Sequence, residues 1–194
     1  MTCKRFHRKI IISALDALLI FCVSIFSACN SKRNEDPKKV AEQHNDAKFN
    51  TDGQEANAHF LTDAAAMCLQ QIKLAKLAQQ NSIRPDVQQR GKIFETEYTK
   101  IYKSIAYLAS IKTVTLPSDL SNEQKKIYTD LGFEISKDFD KKYFDRVIKD
   151  HNAAIEEYQQ VQKKTTDGEI KSFIEKTLPV LTGNLNLIKT EQQQ

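Results

Sequence analysis

Glycine and proline are scarce in this chain, at five and four of 194 residues. Few positions can therefore break a helix, while Ala, Leu, Lys, Gln and Glu are plentiful, which predicts an all-α protein. No stretch alternates polar and apolar residues as a half-buried strand would. A dominant charge is also missing. Of 29 basic and 25 acidic residues, four basic and one acidic precede Cys29, leaving 25 against 24 beyond it. With no basic cluster in the body of the chain, nucleic acid is not an expected partner. There is no Cys-x-x-Cys, no His-x-x-x-His and no Gly-rich phosphate loop, so the usual zinc, redox and nucleotide signatures are excluded. Cysteine is rare too. Cys3 and Cys22 fall in the leader and Cys29 at its border, so Cys68 is left alone without an intrachain disulfide partner. Its place on an apolar stripe makes it a small buried hydrophobe. No catalytic residue, metal ligand set or cofactor site can be nominated.

One apolar run stands out. Ile10–Phe26 follows the basic residues Lys4, Arg5, Arg8 and Lys9, contains the single charge Asp16, and ends at Ser27 and Ala28. That is the layout of a secretory signal. Phe26-Ser27-Ala28-Cys29 resembles a bacterial lipobox, which implies cleavage before Cys29 and its lipidation. The membrane, reached through that lipid, is then the first expected partner. Asn30 follows, and no Asp stands there to retain the protein in the inner membrane. The expectation is an outer-membrane lipoprotein facing the periplasm or the surface.

Past Cys29 the chain is polar to Glu55, with one short helix expected from Pro37 to about Phe49, because Pro suits a first helical turn. The rest of this stretch reads as a tether. Apolar seams then recur at steps of three and four. The first holds Ala56, Phe60, Leu61, Ala64, Met67, Cys68, Leu74, Ala75 and Ala78. The second, after Pro85, holds Val87, Phe94, Ile101, Ile105 and Leu108 and carries Gly91, which marks a close helix contact. Ser121-Asn122-Glu123-Gln124 reads as a capping box for a short helix. The third long seam runs through Phe144, Val147, Ile148, Ala154, Ile155, Tyr158 and Val161. Thr166-Asp167-Gly168-Glu169 reads as a second capping box. The last seam holds Ile170, Phe173, Ile174, Thr177, Val180, Leu181, Leu187 and Ile188.

Each seam is interrupted by polar residues: Gln71 in the first, Glu97 and Tyr98 beside the second, His151 in the third and Asn184 in the fourth. These five form the candidate site, a buried polar cluster that fixes helix register, as single polar seam residues do in coiled coils. His44 and His59 read as surface histidines.

The phrases Phe60-Leu61, Ala64-Ala65, Leu74-Ala75-Lys76-Leu77-Ala78, Leu116-Pro117, Leu131-Gly132 and Phe139-Asp140-Lys141-Lys142-Tyr143, then His151 and Leu178-Pro179 with Leu181, occur in characteristic order. In this the chain resembles the bacterial family called domain of unknown function 4142, exported proteins often labelled predicted outer-membrane protein. The resemblance implies a ferritin-like up-down four-helix bundle, here with a short extra helix before the third long helix and preceded by a signal helix and a polar tether. The expected divisions are a signal peptide over 1–28, the lipidated tether over 29–55, the bundle over 56–190 and a frayed tail over 191–194. The chain departs from the family at the polar positions: Gln71 stands for Glu, Glu97-Tyr98 for Asp-His and Asn184 for His. The expected role is a non-enzymatic envelope module that binds an unidentified envelope protein or supports the envelope. The alternative is a ferritin-like metal-binding or oxidative-stress protein with a degenerate metal site.

Overall fold

The computed structural model describes residues 35–193. The leader and Cys29 lie outside the described residues. Six helices follow one another, with no strand among the described residues: α1 Pro37–Asp46, α2 Asp52–Asn81, α3 Pro85–Lys112, α4 Asn122–Gly132, α5 Ser136–Lys164 and α6 Gly168–Gln192. None of them is long and apolar enough to cross a membrane. Their starts follow from local chemistry. Thr51 and Asp36 accept backbone N–H bonds at the N-caps of α2 and α1, which offsets the unpaired first-turn amides. Ser121 and Gln124 form the expected capping box in full. At α6 the cap is Asp167, one residue later than the expected Thr166, and its carboxylate accepts from the Glu169 and Ile170 amides.

Four long helices enclose the core. Gln79 and Glu95 meet across α2 and α3, and Tyr158 and Phe173 across α5 and α6, so each pair forms an antiparallel hairpin. Between the hairpins, Phe60 meets Tyr158 and Gln71 meets Asp150, so α2 and α5 also run oppositely. Glu97 with Asn184 and Arg90 with Glu191 set α3 against α6 in the same way. The order is therefore up, down, down, up. A strictly alternating up-down order does not hold, because Thr113–Ser121 and α4 return the chain along α2 before α5 begins. Asn81 at the end of α2 secures that return by donating to the Gly132 and Glu134 carbonyls.

The tether expectation is corrected from residue 36 onward. Asp36 and the residues after it belong to one compact unit. Asn45 of α1 is buried, donates to Thr62 Oγ1 and the Thr115 carbonyl, and accepts from the Thr115 amide. The first long helix also starts four residues before the expected Ala56, and Ala56 itself is exposed. In α6, Val180 and Leu187 lie on the exposed side, and Leu185 is buried instead.

Aromatic rings fill the core in three groups. Phe60, Tyr158 and Phe173 pack near one end, Phe94 and Tyr98 with His151 in the middle, and Phe139, Tyr143 and Phe144 near the other end. Cys68 is buried among apolar side chains, and burial pushes its thiol pKa far up. It is a packing residue rather than a nucleophile.

Candidate functional site

His151 lies on the inward stripe of α5 and is wholly buried. Its Nδ1 sits 2.8 Å from the carbonyl of Val147, one turn back on the same helix. A carbonyl only accepts, so Nδ1 carries the proton and Nε2 presents a lone pair. The Tyr98 hydroxyl of α3 donates to that lone pair. Both ring nitrogens are thus engaged. Burial lowers the His151 pKa to about 4, against a smaller upward effect of the Val147 carbonyl. The ring is neutral at ordinary pH. Burial likewise drives the Tyr98 phenol well above its usual range, and Asn184 beside it partly opposes this.

Asn184 on α6 donates to Glu97 Oε2 at 3.0 Å. Tyr98, His151, Asn184 and Glu97 therefore span three helices at one level. Gln71 turns elsewhere. Its Nε2 donates to Asp150 Oδ2 at 2.9 Å, where Gln70 Nε2 also donates at 2.7 Å and Arg146 pairs with Oδ1 at 2.6 Å. The five expected residues form two groups, one between α3, α5 and α6, the other between α2 and α5. Adjacent helix positions point about 100° apart, so Asp150 and His151 face different neighbours.

Asp150, Gln70 and Arg146 were missed in the sequence because charged and amide residues beside a seam read as a solvated face. The Arg146–Asp150 spacing of four was the available signal. Burial raises the Asp150 pKa, against the pull of Arg146 and Gln71. Gln71 Oε1 is buried without a hydrogen-bond partner among the described residues.

The chemistry open to this arrangement is narrow. Tyr98 and His151 are both 0% exposed, so no substrate reaches them. A di-metal bundle of the ferritin type takes Glu residues and Glu-x-x-His pairs from its helices. Here Ile148 precedes His151 by three and Leu181 precedes Asn184 by three, and the imidazole lone pair is already taken by Tyr98. Among the described residues no three His, Cys, Asp or Glu side chains converge as metal ligands. The residues present do not fit such a centre. What they make is an internal hydrogen-bonded layer, stabilising when complete and costly when broken.

Fold and site together define an all-helical domain with the hydrogen-bonded pairs Tyr98–His151, Gln71–Asp150 and, half-buried, Asn184–Glu97 between its long helices. The sequence profile described as "Domain of unknown function (DUF4142)" matches residues 39–190, well over half of the chain, and the protein belongs to that family. No curated protein and no solved structure matches the chain.

Proposed function

We propose that this protein is a lipid-anchored, non-enzymatic helical module of the bacterial cell envelope, held to the outer membrane through Cys29. One observation carries the non-enzymatic part. The one buried histidine among the described residues, His151, spends both ring nitrogens on Tyr98 and the Val147 carbonyl and is sealed from solvent. A general base or metal ligand needs a free lone pair within reach of its target. The anchor is supported by the basic residues, apolar run and small residues that precede Cys29. Lipid on that cysteine would hold the domain at the surface, since several acyl chains anchor stably where one is marginal. The up, down, down, up order with one long crossover supports a ferritin-like bundle; the metal chemistry of such bundles is not part of the proposal.

The test is fatty-acid labelling in a bacterial host. The wild-type chain should incorporate label, and Cys29→Ala should lose both labelling and leader cleavage. Normal labelling of that variant would overturn the anchor. Stoichiometric iron, manganese, zinc or copper in the purified protein, lost in His151→Leu, would overturn the non-enzymatic reading.

A further inference from the structure

A cleft of about 280 Å³ opens where α2 meets α5, with walls from α1, α2, α4 and α5. Its floor is the small apolar group Ala66, Met67 and Ala154. Nearly every charged or amide group around it is already matched. Lys38 of α1 pairs with Asp63 of α2 at 2.6 Å and also with Glu42. Arg146 pairs with Asp150, which Gln70 also holds. Gln124 of α4 donates to the Ala66 carbonyl and accepts from the Ser121 amide. Glu123 of α4 lies on the exposed rim, where water solvates it.

Glu157 is the exception. It is partly buried on α5, lines the cleft, and has no hydrogen-bond or ion-pair partner among the described residues. Burial raises its pKa to about 7, reinforced by Asp63 and opposed by Lys38. Lys38, the cation that acts on this carboxyl through space, is itself paired with Asp63 and Glu42, so no positive donor is bonded to Glu157.

We propose that this cleft binds a small organic cation, a primary amine or guanidinium, with Glu157 as its ion-pair partner. The apolar floor takes a short alkyl stem, and the volume suits a molecule at the small end of ligand pockets. An anion is disfavoured, because both cations of the cleft are held by carboxylates. Glu157 must be ionised to pair, so bound cation and proton compete for it. Affinity should fall about tenfold for each pH unit below the carboxyl's pKa. The site rests on neither the lipid anchor nor the Tyr98–His151 layer.

Titration calorimetry on the full chain with agmatine, n-butylammonium and, as the anionic counterpart, butyrate tests this. One of the two cations should bind saturably at one per chain at pH 8, weaken about tenfold at pH 6, and butyrate should not bind. Glu157→Gln should weaken that binding at least tenfold. Ala153→Leu, an exposed position on the cleft wall, should block it sterically while leaving the carboxylate in place. The proposal fails if neither cation binds at pH 8, if butyrate binds as well as the cations, or if binding survives either variant undiminished.

Discussion

Tyr98 and His151 each give the other its hydrogen-bond partner in a place water cannot reach. Such pairs contribute modestly when intact, but a widowed partner costs about 1–3 kcal/mol. Tyr98→Phe leaves the Nε2 lone pair bare. His151→Leu leaves the phenol with Asn184 alone. Each single change should therefore lower unfolding free energy by about 1–3 kcal/mol, and the double change by clearly less than their sum. Urea denaturation of the four proteins closes this cycle. Additive losses would mean that the two side chains do not depend on each other. In the sequence His151 was legible as a seam histidine, and Tyr98 as its neighbour in level. Asp150 was not, because an ion pair at a spacing of four looks the same whether it faces solvent or a neighbouring helix.

At the level of helices, Gly91 sets how closely α2 and α3 approach. A Cβ at that position would lie 2.6 Å from the Ala75 carbonyl oxygen and 3.0 Å from Gln79 Cγ. The carbonyl belongs to the backbone of α2, so relief requires the helices to separate. Helix propensity alone would favour Gly91→Ala by about 1 kcal/mol. Overpacking costs typically 1–3 kcal/mol, so the clash should win and the variant should melt lower. A higher denaturation midpoint for Gly91→Ala would show that the hairpin is not closed on this residue. Period and caps made the helices legible, since three-and-four spacing and capping chemistry are local. The errors are of two kinds: Ala56 lies exposed at the start of its seam, whereas Val180 and Leu187 each sit one position off the buried stripe of Thr177, Leu181, Asn184 and Ile188 and so point about 100° away from it. α1 was read as a helix within a tether because its few contacts, chiefly Asn45 to Thr62 and Thr115, are tertiary.

For the whole molecule, helix direction was the least legible property. Alternation was the expectation, and the connection through α4 sends α5 parallel to α3 instead. That choice brings α5 against α2 and so forms the cleft beside them; α5 itself carries both a core histidine and a cleft carboxyl, with opposite consequences for acid stability. His151 titrates near pH 4 folded against 6.5 unfolded, so its contribution is intact above 6.5 and is lost as pH falls through 4. Glu157 titrates near 7 folded against 4.5 unfolded, so its contribution is intact below 4.5 and is lost as pH rises through 7. At about 1.4 kcal/mol per unit, each spans on the order of 3 kcal/mol. Between pH 4.5 and 6.5 the two slopes oppose and largely cancel. Wild-type stability should change little across that window on their account. Glu157→Gln should unmask the histidine and lose stability steadily on acidification from pH 6.5. His151→Leu, whatever its absolute loss, should unmask the carboxyl and gain stability on acidification from pH 7 to 4.5, relative to wild type. Urea midpoints for the three proteins at four pH values across this range decide the matter, because shared titrations drop out of the differences. Three parallel profiles would mean that neither group carries the pKa its burial implies.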